Sequence, residues 1–157
     1  MLTRPEYGWS DFNLDGTSVY HLSYLDNIPF NWLDEAIHGL EILNPFCVKG
    51  FMEPGRFICV VSFWNCHIIC EEEDGAPLPP KNTIHEISHT SMLQFCQQLY
   101  DDISENLDDW ACWDTYDPDD SEFYFDTNKE ELIKKLARLK ELIAENEEHF
   151  GENRGFL

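Results

Sequence analysis

Four residues have the spacing of a Cys2His2 zinc site: Cys66-x3-Cys70, then fourteen residues, then His85-x3-His89. The cysteines lie in the run Cys-His-Ile-Ile-Cys, which has no glycine or proline to form a zinc knuckle. In a strand, four residues span roughly 13 Å, too far for two sulfurs that must each lie about 2.3 Å from one ion. We therefore expect buried thiols and surface histidines. A zinc-binding domain that uses these four residues is the least favoured alternative.

A nucleophilic cysteine beside a histidine is the second chemistry that the residue types allow, as at Cys66-His67. Adjacent strand residues point to opposite faces, so this pair cannot act together. Acidic surroundings also raise the pKa of a thiol, which disfavours the reactive thiolate. The sequence has no Gly-x-Ser-x-Gly, no phosphate-binding glycine loop and no His-Glu-x-x-His. We predict that the protein is not an enzyme and needs no cofactor.

The acidic run 114–122 raises the question of calcium, because Asp117, Asp119 and Ser121 have the first ligand spacings of an EF-hand. The sixth position is Glu122, where the loop requires glycine, and the twelfth is Asn128, where a bidentate glutamate is expected. The pattern therefore predicts no EF-hand and no metal site.

The segment 108–126 carries eight acids, six aromatics and no Lys or Arg. Such a surface suits a basic protein partner, since aromatics anchor an interface and carboxylates pair with Lys and Arg. In the alternative, the aromatics face the core and the acids face water. The predicted contact residues are Asp108, Asp109, Trp113, Asp114, Tyr116, Asp117, Asp119, Asp120 and Glu122. A second predicted patch contains Glu71, Glu72, Glu73 and Asp74.

The net charge of −21 is distributed unevenly. Residues 1–128 hold 24 acids against 4 bases, whereas residues 129–157 hold 7 acids against 6 bases. This field repels nucleic acid and anionic membranes, and it speeds encounter with basic partners. No run reaches the ~18 apolar residues of a membrane span. The first ten residues do not resemble a secretion signal, so we expect reduced thiols and a cytoplasmic protein.

The pattern predicts an α+β fold built on an antiparallel β-meander, with core strands at 46–52, 56–64 and 66–73. The run 57–70 is the densest in β-branched and aromatic residues, and the turn signal Glu53-Pro54-Gly55 precedes it. The central strand lacks alternation, which indicates that both of its faces are covered. Short strands are expected at 17–24, 84–88, 110–116 and 122–126.

Helices are predicted at about 29–43, 91–107 and 128–149, from apolar residues that recur at helical spacing. Ser91 and Gln94 have capping-box spacing, and so do Thr127 and Glu130. Gly151 is the expected end of the last helix. Residues 1–157 are predicted to form a single domain, with an irregular N-terminal arm over 1–16 and a Pro-rich loop over 75–82.

Residues 20–75 resemble small acidic bacterial immunity proteins, and are most similar to those of contact-dependent growth inhibition. The resemblance is carried by Ser23-Tyr24-Leu25-Asp26, the helix pattern Trp32-x-x-x-Ala36-Ile37-x-x-Leu40, and the Glu53-Pro54 turn that leads into the strand 57–64. It implies an α+β protein without catalysis that binds a cognate toxin domain, often a basic nuclease, and blocks it.

The sequence thus leads to an immunity protein that neutralises a toxin effector domain through an acidic, aromatic surface. The alternative is a nucleic-acid mimic that inhibits another DNA- or RNA-binding protein. Neither hypothesis involves direct binding of nucleic acid or a membrane, and the oligomeric state stays open.

Overall fold

The computed structural model describes residues 1–71, 85–113 and 118–152. Its elements are two antiparallel sheets of two and four strands together with four helices, an α+β arrangement as the sequence predicts. The strands are β1 (Trp9–Phe12), β2 (Tyr20–Ser23), β3 (Phe46–Phe51), β4 (Arg56–Val61), β5 (Cys66–Glu71) and β6 (His85–Ser88). The helices are α1 (Ile28–Ile42), α2 (Met92–Glu105), α3 (Leu107–Ala111) and α4 (Pro118–Glu152).

The four-stranded sheet has the order β3-β4-β5-β6, so the predicted meander is confirmed and β6 extends it. Its inner face is buried, with Phe57, Cys59 and Val61 alternating along β4. The other face of β4, which includes Ile58 and Val60, is partly exposed. Within the described residues this face is therefore covered only in part, less than the sequence predicted for both faces of the central strand.

An aromatic cluster joins the small sheet to the large one. Phe12 of β1 stacks on Phe57 of β4 with ring centroids 5.2 Å apart, and Trp32 of α1 meets Phe12 edge-on at 5.2 Å. The Trp32 indole also donates to the Lys49 carbonyl at 2.9 Å. Burial of these rings explains why residues 9–12 form a strand within a segment that the sequence predicted to be irregular.

The positions of two helices, α1 and α2, follow from local sequence signals at their ends. At α1, Pro29 lies in the first turn and Leu43 ends the helix in the left-handed conformation, one residue before Asn44-Pro45. At α2, the predicted capping box is present, with Gln94 N–H donating to Ser91 Oγ at 3.2 Å and Ser91 N–H donating to Gln94 Oε1 at 2.9 Å.

The region after α2 differs most from the sequence prediction. Residues 107–111 form α3 and residues 122–126 belong to α4, where short strands over 110–116 and 122–126 were expected. Helix α4 begins at Pro118 and includes Thr127, so the predicted cap at Thr127 is wrong, and the helix continues past Gly151 to Glu152. The Pro-rich loop over 75–82 lies outside the described residues. Among the described helices, none is both long and apolar enough to span a membrane.

Candidate protein-binding surface

Residues 108–111 of the acidic segment lie in α3. Two predicted contact residues in this helix, Asp108 and Asp109, form ion pairs with bases of the same chain. Asp109 accepts from Arg4 Nε at 2.9 Å, and Asp108 pairs with Lys129 Nζ at 2.7 Å. The Asp108 side chain is 68% exposed and that of Asp109 is 34% exposed. Both carboxylates are accessible to a partner, which would compete with these bases of the chain itself.

Trp113, which the sequence placed among the contact residues, is a core residue in this structure. It is 3% exposed, and its ring lies 5.2 Å from that of Trp110, which is 1% exposed. Its indole N–H donates to the Asp26 carbonyl at 2.7 Å. The two rings meet because residues three apart share a side in the helical turn that follows α3, whereas the expected strand would have pointed them in opposite directions.

The rest of the predicted surface is only partly within the described residues. Glu71 ends β5 and pairs with Arg56 of β4. Outside the described residues lie Asp114, Tyr116, Asp117, Glu72, Glu73 and Asp74. The backbone of α4 carries Asp119, Asp120 and Glu122 in its first two turns, and their side chains lie outside the description. These residues stay a prediction.

Two ion pairs link α4 to α1. Lys135 of α4 pairs with Asp34 of α1, and Arg138 pairs with Glu41 at 3.1 Å. Together with the pairs of Arg4, Arg56 and Lys129, five of the bases within the described residues pair with acids of this chain. Each exposed pair stabilises the fold by only about 0 to 1 kcal/mol. These pairs engage five bases with acids of the chain, and most of the 31 acids remain without a base to pair with.

Exposed acids outside the predicted segment extend this field along α4. Glu130, Glu131 and Glu148 are exposed, and within the described residues no ion pair includes them. A partner that approaches this helix therefore meets carboxylates that need no internal bond to be broken first.

The four residues with zinc spacing do not converge. Cys66 and Cys70 are buried on the inner face of the sheet, whereas His85 is exposed on the outer face, where its ring lies 4.0 Å from that of His67. The Cys66 thiol donates to the Thr90 carbonyl at 3.3 Å. Among the described residues, no group of three His, Cys, Asp or Glu side chains could hold a metal ion. The zinc alternative therefore has no geometric support.

The core thiols are also poorly placed for nucleophilic chemistry. A hydrogen bond with Cys66 and burial raise the pKa of the Cys59 thiol, and burial raises that of Cys96. A raised pKa keeps a thiol protonated at neutral pH, and the protonated form is not the nucleophile.

A cleft of about 770 Å³ is the feature that sequence reasoning missed. It lies between the β4–β5 turn, the first turns of α2 and the last turns of α4, and Trp64 of the turn is 41% exposed. Trp64 and Asn65 lie in the turn between β4 and β5, a position that tryptophan tolerates poorly. A large aromatic at a position that does not favour it is the one signal that could have identified the cleft.

Comparison with protein-family models, with curated proteins and with solved structures finds no match. The functional argument therefore depends on the geometry and the charge of this chain.

Proposed function

We propose that this protein is a cytoplasmic immunity protein that binds and neutralises a basic toxin effector domain, in keeping with the resemblance of residues 20–75. The observation that carries the proposal is the acid excess that remains after five bases are paired within the chain. A domain that binds or cleaves nucleic acid needs a basic surface, and an acidic protein can cover that surface.

The long-range field and the local contacts have separate roles in this proposal. A net charge of −21 steers a basic domain into encounter, and this effect falls with salt. Contacts made after encounter determine how long the complex lasts. The first turns of α4, with Asp119, Asp120 and Glu122, are where we propose that those contacts form.

The first experiment is a pull-down from a lysate of the source cells at low and at high salt, followed by native mass spectrometry of the eluate. We expect one stoichiometric basic protein that stays bound at high salt and whose nuclease activity is silenced in the complex. Many basic proteins, all lost at high salt, would instead mean that the charge acts only as a general field. Several unrelated nucleic-acid-binding partners would favour the mimic.

A matched pair of triple variants then locates the contact site on the purified complex. The site variant is Asp119→Asn, Asp120→Asn, Glu122→Gln, and the control is Glu130→Gln, Glu131→Gln, Glu148→Gln. Each removes three negative charges, so both should slow association to a similar extent by weakening the field. Only the site variant should speed dissociation, by about tenfold or more if local contacts are lost. Equal dissociation rates for the two variants would remove this site from the proposal.

A further inference from the structure

The cleft beside Trp64 has walls from three distant segments, and a backbone hydrogen bond joins two of them. The β4–β5 turn closes with Ser62 N–H donating to the Asn65 carbonyl at 2.9 Å. The same turn holds α2, because Met92 N–H donates to the Phe63 carbonyl at 3.1 Å. The cleft is thus a preformed feature on two rigid elements, which lowers the entropic cost of binding.

One face of α4 forms the third wall of the cleft. Ile143, Glu147 and Phe150 line the cleft and follow one another at helical spacing. The Phe150 ring meets Trp64 edge-on at 5.6 Å and Phe63 at 6.2 Å. Glu147 is exposed and lines the same cleft as the exposed Trp64 side chain.

The polarity of the cleft favours a cation. Among the described residues that line it, Glu147 is the one carboxylate and His89 is the one other ionisable side chain, and no Lys or Arg is present. The last turn of α4, which contains Phe150, adds the negative end of the helix dipole. Gln97 also lines the cleft: one of its two amide N–H groups donates to Asp101 at 2.9 Å, and its carbonyl oxygen can accept a hydrogen bond from a ligand.

An anion at the start of α2 is the competing occupant, because helix N-termini attract negative charge. Here four of the amide groups at this helix end, those of Ser91, Met92, Gln94 and Phe95, already donate within the protein, which leaves that of Leu93. Ser91 N–H donates to Gln94 Oε1 at 2.9 Å, Gln94 N–H to Ser91 Oγ at 3.2 Å, and Phe95 N–H to the Ser91 carbonyl at 2.8 Å. Met92 N–H is held by Phe63, so the capped helix end has little left to offer an anion.

We infer that this cleft binds the guanidinium group of a partner's arginine, stacked on Trp64 and paired with Glu147. A planar guanidinium stacks on an indole ring and bonds a carboxylate at the same time, which a compact lysine ammonium does less well. The inference rests on the proposed function only for the identity of the partner, a basic protein. The cleft itself can be tested without that partner.

The test is a titration of the whole protein, labelled with ¹⁵N, with the peptide acetyl-Gly-Arg-Gly-amide, followed at the tryptophan indole N–H signals. The counterpart in which neutral citrulline replaces arginine is the ligand control. Trp9 is 42% exposed, about as much as Trp64, and lies outside the cleft, so its indole is an internal control. Trp64→Phe identifies the Trp64 signal, and its thermal melt shows whether the fold is retained.

We expect a saturable shift of the Trp64 signal with the arginine peptide and none with the citrulline peptide. Glu147→Gln should weaken binding about two- to fivefold, the range for an exposed charge pair. Glu148→Gln removes the same charge from the next residue, which does not line the cleft, and should leave binding within about 1.5-fold.

Three results would overturn the arginine site: equal shifts with the citrulline peptide, a Trp9 shift as large as that of Trp64, or equal weakening by the two glutamate variants. Each would mean that the shift of the indole signal reports the general negative field of the protein or an apolar contact, and not a specific arginine site. These results would leave the proposed function standing, because the pull-down tests it separately. Conversely, an arginine site without a basic partner in the pull-down would remove the proposed function and leave the cleft.

Discussion

Substitution of Trp113 by phenylalanine separates its structural role from the contact role that the sequence predicted. The indole is buried against Trp110, with ring centroids 5.2 Å apart, and donates to the Asp26 carbonyl at 2.7 Å. Phenylalanine keeps an aromatic ring in the core but removes the donor and part of the packed volume. If Trp113 holds the fold together, the loss should appear in the free protein.

The magnitude follows from these contacts. The Asp26 carbonyl also accepts from Ile28 N–H at 2.9 Å, so the substitution leaves it with one bond and avoids the full penalty of an unsatisfied group. The lost hydrogen bond should then cost about 0.5 to 1.5 kcal/mol. The smaller ring adds about 1 kcal/mol for lost apolar burial and a residual void. We expect Trp113→Phe to lower the free energy of unfolding by about 1.5 to 2.5 kcal/mol, which lowers Tm by roughly 3 to 10 °C in a protein of this size.

The assay is urea unfolding followed by circular dichroism, with Trp64→Phe as the matched control. Trp64 is 41% exposed and sits on the cleft, so its substitution should change stability by no more than about 0.5 kcal/mol. For Trp113→Phe we expect a lower midpoint with an unchanged slope. The reasoning would be refuted if Trp113→Phe were as stable as the wild type and bound the basic partner more weakly, since Trp113 would then act at the surface.

Two further predictions concern the packing around Gly50 and the carboxylate of Glu86. Gly50→Ala should destabilise the protein by about 1 to 3 kcal/mol in urea unfolding, because the added Cβ would lie 2.2 Å from buried Leu22 and 2.8 Å from Phe57. The exposed neighbour Lys49→Ala should change stability by less than about 0.5 kcal/mol, and equal effects would contradict the clash. Hydrogen bonds from the Tyr20 hydroxyl and from Ser18 lower the pKa of Glu86 below its ordinary value of 4.5. The ionised carboxylate therefore stabilises the fold above that value, and the advantage over Glu86→Gln should shrink as pH falls through the lowered pKa; a difference that is the same at neutral pH and at about pH 3 would contradict this.

The sequence signals that succeeded are those whose cause is local. The meander follows from a β-branched run bounded by turn residues, and β3, β4 and β5 each lie within the predicted bounds. The capping box at Ser91 is present because two side chains three residues apart satisfy each other without help from elsewhere. The end of α1 at Asn44-Pro45 has the same local origin.

The signals that failed depend on tertiary contacts. Thr127 and Glu130 match a capping box, yet they lie inside α4, because Pro118 begins the helix nine residues earlier. Proline suits a first helical turn as well as a loop, and the sequence alone does not decide between them. Asn128 then donates to the Ala111 carbonyl at 3.1 Å, a contact that joins α4 to α3 and that no local pattern contains.

The cleft could not be predicted for a related reason. Trp64, Gln97 and Glu147 are far apart in the sequence and meet only because the β4–β5 turn, α2 and α4 pack together. Composition gives the sign of the net charge, since the acid excess does not depend on how the chain folds. The net charge is thus available from the sequence, whereas the position of the cleft depends on the fold.

The internal ion pairs bear on how such a partner would bind. Arg4, Lys129 and Lys135 each engage an acid of the chain itself, so a basic partner that targets Asp108 or Asp109 must first displace a base. Exposed pairs are weak, but displacing one still cancels much of what a new pair at the same carboxylate would gain. Glu147 requires no such exchange, as within the described residues no ion pair includes it. A contact at Glu147 would therefore gain more than one at Asp108 or Asp109, which is consistent with the arginine site proposed at the cleft.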